Sequence, residues 1–210
     1  MSALAAVPRP VVALVAVLGA AACDGAPAPV AVPTTGATTA SAAASTPTAS
    51  AGPVFRAQDL DLCKRTDLRP LAELSSLTVA RTDPKPPLGH PGAACLFEMR
   101  TRTGHQANLL VEASTLVSAE EAGRLYRATQ QVTVMTPAGG IPGLGEEAEA
   151  FTRRSDPGFK YAEYMVHART GNLVVKVWFS VGGASYAATE TLRSKALTFL
   201  RATQAAVPIG

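Results

Sequence analysis

The sequence predicts an α+β domain in residues 54–210, built on an antiparallel sheet. Two pairs of segments alternate apolar and polar residues as half-buried strands do, and a Thr-Gly step joins the strands of each pair. A segment with helical apolar spacing follows each pair. We therefore expect two strand-strand-helix halves, with the helices packed on one face of the sheet. A duplication would explain the two halves, although such hairpins are common enough to be similar by chance.

The first half follows a short helical segment. In residues 59–77 the apolar side chains recur at roughly helical spacing, and Pro70 is expected to split the segment into two turns. The stretch "TDPKPPLGHPG" is rich in Pro and Gly and is predicted to be a loop. The strands "CLFEMRT" and "ANLLVEA" come next. Ser118 and Glu121 then have the spacing of a capping box, which predicts a helix over residues 118–134.

The second half has the clearer strand pattern. The segments "KYAEYMVHA" and "LVVKVWFSV" are predicted strands, preceded by a Gly/Pro-rich loop at residues 136–159 and followed by a closing helix at residues 185–206. A two-residue turn at 170–171 would make the apolar faces of the two strands coincide. The same turn would set Glu163 opposite Trp178.

The amino-terminal residues have the layout of an export signal. Arg9 precedes an apolar run at residues 11–22, which is too short to cross a bilayer as a helix because a span needs about 20 residues. Residues 1–22 are therefore predicted to be a signal peptide. Cys23 directly follows three alanines and resembles the lipobox cysteine of bacterial lipoproteins, which implies acylation and anchoring to the extracytoplasmic face of the cell membrane. Ordinary secretion with cleavage near Ala22 stays open as the alternative.

Residues 23–53 are predicted to form a disordered tether between the lipidated cysteine and the domain. From residue 25 onward the tether contains only Ala, Thr, Ser, Pro, Gly and Val, a composition that buries too little apolar surface to fold. If extended like polyproline, it would reach up to roughly 90 Å at about 3.1 Å per residue.

Charge and cysteine content narrow the classes of partner. The formal net charge is +3 and the basic residues are scattered among acidic ones, so no basic stripe indicates nucleic acid. Cys63 and Cys95 are the two cysteines of the predicted domain, and an even pair in an exported domain favours a disulfide. Such a bond would stabilise the domain by roughly 3 to 4 kcal/mol. A reactive thiol is the alternative, without the C-x-x-C spacing of redox enzymes.

The sequence contains no strong catalytic or cofactor motif. Gly143–Ala148 matches G-x-G-x-x-A, but no predicted strand precedes it, and Glu146 and Glu147 would repel a pyrophosphate. The three histidines, His90, His105 and His167, lie apart without metal-ligand spacing. A G-x-S-x-G motif is also missing. We therefore predict no cofactor, no metal site and no enzymatic activity.

One face of the second hairpin is the candidate binding surface. Opposite the predicted core, the two strands display a mixture of aromatic, aliphatic and charged side chains: Tyr161, Glu163, Met165, His167, Lys176 and Trp178. Such a mixture, when exposed, is typical of a ligand groove or a partner surface. Large aromatic residues are mostly buried, so we favour the alternative that a helix or the 136–159 loop covers this face.

Several short motifs together carry a resemblance to a known class. Asp61-x-Cys63, the second cysteine in "ACLFEM", the loop "IPGLGEEAEAF" and the closing helix, with the lipobox and tether, resemble actinobacterial cell-envelope lipoproteins that carry an extracytoplasmic domain of unknown function. Some mycobacterial envelope lipoproteins of similar layout have a PsbP-like α+β fold, so the resemblance implies that fold. It also implies a non-catalytic binding or accessory role.

For the partner, we expect an apolar small molecule or an envelope protein. Two other classes stay open. An envelope enzyme with an unrecognised site would need a titratable cluster such as Glu163 with His167, whereas a structural or inhibitory interaction module would present a flat Trp178 face without a cavity.

Overall fold

A computed structural model describes residues 52–72, 74, 77–87 and 89–210. The predicted signal peptide, Cys23 and the predicted tether up to residue 51 lie outside the described residues. The helices are α1 (Leu62–Arg65), α2 (Ala119–Val132) and α3 (Thr189–Ala206), with a 3₁₀ helix at Arg69–Leu71. The strands are β1 (Thr78–Pro84), β2 (Gly92–Arg100), β3 (Gln106–Thr115), β4 (Thr136–Gly140), β5 (Glu147–Ser155), β6 (Lys160–Thr170) and β7 (Leu173–Gly183).

The seven strands form one antiparallel sheet in the order β1-β2-β3-β7-β6-β5-β4. The predicted mixed α+β class is therefore confirmed. Both predicted hairpins are present as β2-β3 and β6-β7, and they meet at the centre of the sheet through β3 and β7. The segment before β1 is divided into α1 and the 3₁₀ helix, which starts with Arg69 and Pro70.

Three strands lie where the sequence predicted other structure. β4 and β5 occupy most of the predicted 136–159 loop, and the end of β1 overlaps the predicted "TDPKPPLGHPG" loop. Every residue of β4 is exposed, and β1 is exposed at all but one position. Edge strands with solvent on both faces do not alternate, and Pro and Gly are tolerated in them. The alternation criterion therefore missed β1 and β4. β5 is an interior strand, and its burial pattern does not alternate either, because the neighbouring residues Ala150 and Phe151 are both buried.

The register of the second hairpin differs from the predicted one. Thr170 pairs with Leu173, and the turn lies at Gly171 and Asn172 rather than at 170–171. Gly171 has a φ of +53°, a conformation that glycine adopts without strain. Trp178 consequently pairs with Met165, and Glu163 pairs with Ser180. The shift is two residues, an even number, so every side chain keeps its predicted face.

The main core lies between α3 and one face of the sheet, called here the α3 face. Leu192, Ala196, Phe199 and Leu200 of α3 pack in one cluster with alternate residues of β6 and β7: Tyr164, Val166, Val175, Val177 and Phe179. The Cys63–Cys95 disulfide, as predicted, ties α1 to β2 on this side. Burial of each large side chain contributes about 1.5–3 kcal/mol, so this cluster is the principal source of stability.

Helix α2 packs on the opposite face of the sheet, called here the second face. Its buried residues Ala122 and Tyr126 contact Val174, and the Tyr126 ring stacks on His167. Val174 and His167 alternate along their strands with Val175 and Val166 of the α3 face, so they point the other way. The prediction that both helices pack on one face is therefore wrong. The apolar stripe of a helix predicts that the helix packs against the sheet, but it does not predict which face of the sheet.

Candidate functional site

Five apolar side chains form a row across the second face. Directly paired positions on neighbouring strands point to the same side of a sheet. The pairs Leu96–Leu110, Leu110–Trp178, Trp178–Met165 and Met165–Phe151 therefore define a continuous line, the apolar row. With strands about 4.8 Å apart, the row is roughly 19 Å long. It crosses β2, β3, β7, β6 and β5.

The apolar row is open at one end and closed at the other. Leu96, Leu110 and Trp178 are half-buried, whereas Met165 and Phe151 are buried at 7% and 1% exposure. The Phe151 ring meets the edge of His167 at 5.5 Å between centroids. His167 is in turn covered by Tyr126 of α2. The predicted alternatives, an exposed face and a covered one, therefore each describe part of this surface.

Glu163 links Trp178 to a charged rim on one side of the row. Its Oε2 accepts a hydrogen bond from Trp178 Nε1 at 3.0 Å, and its Oε1 lies 3.8 Å from Arg153 Nε. Although the predicted register was wrong, Glu163 and Trp178 are thus in contact as diagonal neighbours. The indole is held in one orientation and its single donor is already used.

A second rim of paired charges lies on the other side of the row. Lys176 Nζ is 2.9 Å from Glu112 Oε2, and both side chains are half-buried. Lys176 and Glu112 face each other across β7 and β3, so this pair is fixed by the sheet register. Each of the two rims therefore has one pair of opposite charges, and Glu98 also borders the open end, two residues from Leu96 on the same side of β2.

Tyr161 belongs to a hydrogen-bonded network at one end of the face. Its hydroxyl lies 2.6 Å from Ser180 Oγ and accepts from Asn108 Nδ2 at 3.0 Å. Burial raises the pKa of Tyr161 above its ordinary value, so the phenol stays neutral. Since its hydroxyl is already hydrogen-bonded, Tyr161 acts here as a structural support of the face.

His167 is buried beneath α2, where it pairs across the strands with Lys176 of the second rim. Its exposure is 0%, and its ring stacks on Tyr126 with centroids 4.2 Å apart and planes 13° apart. Burial, with a smaller effect from the nearby Lys176 ammonium, lowers the pKa of His167 from 6.5 to about 4. The imidazole is therefore neutral near pH 7. Met165 lies between His167 and Glu163 on the same side of β6, so these two residues form no acid-base pair.

The "IPGLGEEAEAF" segment is a loop at residues 141–146 followed by the start of β5, and it is held against the second hairpin. Arg169 contacts the carboxylates of both Glu146 and Glu147, and Glu146 Oε1 also accepts from the backbone N–H of Gly171 at 2.8 Å. The hydrogen bond from Gly171, together with the Arg169 charge, outweighs the opposing effect of burial and lowers the pKa of Glu146 below its ordinary value. Glu146 and Glu147 therefore stabilise the contact between this segment and the second hairpin.

A separate cavity of about 460 Å³ lies between the β2-β3 turn and the β7-α3 connection. Thr101, Arg102 and Thr103 line one side, and residues 181–185 line the other. The Thr101 hydroxyl is already within hydrogen-bonding distance of Thr103 and of the His105 N–H. Arg102, the one charged side chain of the lining, is exposed. The side chains that line this cavity are therefore held in place less firmly than those of the second face.

Sequence reasoning found the β6-β7 part of the site and missed the rest. Leu96, Leu110 and Glu112 sit on the polar-looking side of the first hairpin, and their alternation with the core residues was a usable signal. Phe151 and Arg153 fell in the predicted loop, so no strand pattern assigned them to this face.

Within the described residues, no group of three or more His, Cys, Asp or Glu side chains is arranged to hold a metal ion. The helices of this part of the chain include none with the length and apolar character needed to cross a membrane. Comparison with protein-family models, curated proteins and solved structures finds no match for this chain. What the architecture defines is a class, the mixed α+β domain with a seven-stranded antiparallel sheet. The resemblance to actinobacterial lipoproteins and to the PsbP-like fold remains a prediction.

Proposed function

We propose that this chain is an exported lipoprotein, anchored through Cys23, whose domain binds an uncharged apolar molecule without covalent chemistry. The observation that supports this proposal is the open end of the apolar row. Leu96, Leu110 and Trp178 are half-buried there, between the Glu163–Arg153 and Lys176–Glu112 pairs. A ligand in this position gains from covering apolar surface, and the two ion pairs beside it are already formed.

The alternative of an envelope enzyme has less support. Glu163 is hydrogen-bonded to Trp178 and lies near Arg153, while His167 is buried away from it beneath Tyr126. A general acid or base must reach the proton that it transfers, within about 3 Å or through one water. A protein partner from the envelope would use the same open end of the row, and the experiment below separates it from a small molecule.

We also propose that the fold arose by duplication of a strand-strand-helix unit, which concerns the origin of the fold and not its function. The order β1-β2-β3 and β7-β6-β5 on either side of the central pair supports it. An antiparallel central pair relates the halves by an axis perpendicular to the sheet, which would place both helices on one face. Because α2 and α3 lie on opposite faces, a duplication would have required α2 to change sides later.

The binding proposal is tested with N-phenyl-1-naphthylamine, an uncharged apolar dye whose fluorescence rises in apolar sites. We expect saturable binding by the full chain, with a change in the fluorescence of Trp178, the chain's single tryptophan. Leu110→Gln should weaken the affinity at least about tenfold, since it places an unpaired amide in the row. Circular dichroism melting confirms that the variant is folded.

Val117→Gln is the matched control, because Val117 is 92% exposed and lies outside the row. It should leave the affinity unchanged. Equal dye binding by the two variants, or binding that does not saturate, would overturn the proposed site. The same two variants also test for a protein partner in the absence of dye. If the wild-type chain captures an envelope protein and Leu110→Gln does not, the ligand of this site is a protein rather than a small molecule.

A further inference from the structure

Helix α2 is held on the sheet by a small set of contacts. Its buried side chains belong to a cluster of three buried residues, Ala122, Tyr126 and Val174, joined at the margin by Leu116 and Leu125. At its carboxyl-terminal end, Gln130 Nε2 donates a hydrogen bond of 2.6 Å to Glu149 Oε2 on β5. By contrast, α3 packs into the large core cluster on the other face. Elements with few buried contacts open locally at low free-energy cost.

The surface that α2 covers contains a buried imidazole without a polar partner. Neither ring nitrogen of His167 has a hydrogen-bond partner among the described residues. The ring is held by contacts with its faces and edges, stacked on Tyr126 and meeting Phe151 edge-on. Such a site accepts the neutral imidazole and disfavours the protonated one, because the added charge loses its hydration and gains no hydrogen bond.

The charged groups around His167 do not offer a free counter-ion. On β7 it faces Lys176, a cation that already contacts Glu112. On β5 it pairs with Glu149, whose carboxylate accepts the hydrogen bond from Gln130 of α2.

The other charged side chains near His167 either form ion pairs or are exposed to solvent. Glu147, also on β5, contacts Arg169. On α2 itself Arg124 contacts both Glu120 and Glu121. Glu120, Arg124 and Arg127 are exposed. A protonated His167 would attract Glu147, which is already paired with Arg169, and Glu149, which would have to release the helix to respond.

We propose that α2 is a lid that opens when His167 takes up a proton. The closed lid holds the neutral imidazole against Tyr126, and the open lid leaves the imidazolium in water. The apolar row runs from its open end through Met165 to Phe151, whose ring touches His167. Opening would uncover His167 and Val174 and free the closed end of the row. Mild acid would thus lengthen the apolar surface available to a ligand.

The direction of the pH dependence follows from the two environments of the imidazole. In the open state His167 has its ordinary pKa of about 6.5. In the closed state its pKa is about 4. The open state binds more protons between these values, so closure weakens as the pH falls below about 6.5 and stops weakening below about 4. Above this window the lid has its full stability.

Thiol accessibility beneath α2 measures the opening. Ala122 is fully buried against the sheet, so Ala122→Cys places a small thiol under the lid. The reagent is 4,4′-dithiodipyridine, which reacts in mild acid, and modification is read from the mass of the peptide that contains position 122. After correction for the reactivity of a free model thiol, the rate at pH 5 should exceed the rate at pH 8 by on the order of tenfold.

Two controls make the outcome specific to His167 and to α2. In Ala122→Cys with His167→Phe, the ring stacking is kept without the titration, and the corrected rates at the two pH values should be equal. His167→Gln is the second non-titrating variant, used if His167→Phe does not fold. Ala196→Cys places a thiol under α3, where Ala196 is also fully buried, and should stay protected at both pH values.

A corrected rate at position 122 that does not change with pH would overturn the lid. So would an increase that persists without His167, or one shared by position 196, which would indicate unfolding of the whole domain. These measurements use no ligand, so failure of the lid and failure of the proposed apolar ligand are independent results.

Discussion

At the scale of single residues, Asn172 joins three parts of the domain. It is buried in the β6-β7 turn, where its Oδ1 accepts from the Phe55 N–H at 2.8 Å. Its Nδ2 donates to the carbonyl oxygens of Phe55 and Leu116 at 3.1 and 2.9 Å. One amide therefore satisfies three backbone groups from segments that are far apart in the sequence. Removing it would leave these groups without a partner in a partly buried site.

We expect Asn172→Ala to destabilise the domain by about 2–4 kcal/mol, because each unsatisfied buried polar group costs about 1–3 kcal/mol. Urea unfolding at pH 7 measures the change. Asn172→Asp is the matched variant, since it keeps the shape and the acceptor but turns a carboxylate toward two carbonyl oxygens. It should be at least as destabilising as Asn172→Ala. Near-normal stability of the Asp variant would show that the two donated hydrogen bonds contribute little.

At the scale of elements, the loop between β4 and β5 is fitted closely to the β6-β7 turn. A Cβ atom at Gly145 would lie 2.4 Å from Thr170 Oγ1 and 2.5 Å from the Arg169 carbonyl oxygen, and φ there is +94°. A Cβ atom at Gly143 would meet nothing within 4 Å, although φ is +76°. The two glycines share the backbone conformation and differ in the space around them.

Gly145→Ala should therefore lower the stability more than Gly143→Ala. The left-handed conformation costs a non-glycine residue about 1–2 kcal/mol at either position. Gly145→Ala adds a collision with backbone, which the loop can relieve only by moving off the hairpin and stretching the Glu146–Arg169 contact. Thermal unfolding of both variants gives the comparison. Equal losses would mean that the loop is not held against the turn in solution.

The elements also show how far the sequence predicts this fold. The two central hairpins and both long helices were predictable, because one face of each is buried and the residues alternate accordingly. The side on which α2 packs was not predictable. Val174, His167 and Phe151 are spread over three strands, and β5 was not recognised, so the second buried layer had no visible pattern.

For the site, the sequence predicted which residues share a face but not which of them are covered. Tyr161, Glu163, Met165 and His167 lie on one side of β6, as their alternation requires. Their exposure ranges from half-buried to none, since α2 covers only the end of the face near His167. Coverage depends on a helix from another part of the chain. Strand periodicity contains no information about it.

At the scale of the whole molecule, the start and the end of the domain lie together at one end of the sheet. Phe55 forms a β-bridge with Ile209, and the Arg56 N–H donates to the Pro208 carbonyl oxygen at 3.0 Å. The same segment is bound by Asn172 at the β6-β7 turn. Trp178 lies five residues along β7 from Leu173, or roughly 17 Å at about 3.4 Å per residue. The open end of the apolar row is thus well separated from the point where the preceding chain joins the domain.

This separation suits a domain held by a tether at one end and binding its ligand elsewhere, and the proposed anchor at Cys23 can be tested on the full chain. We expect the wild-type chain to sediment with membranes, to be solubilised by detergent and to have the added mass of acyl chains. Cys23→Ser should shift the chain to the soluble fraction without that mass, because its apolar signal segment is too short to span a bilayer. The double variant Cys63→Ser and Cys95→Ser is the matched control, and it should stay membrane-bound although its domain has lost the disulfide. A Cys23→Ser chain that remains with the membrane at unchanged mass would exclude lipidation and leave ordinary secretion or another mode of attachment.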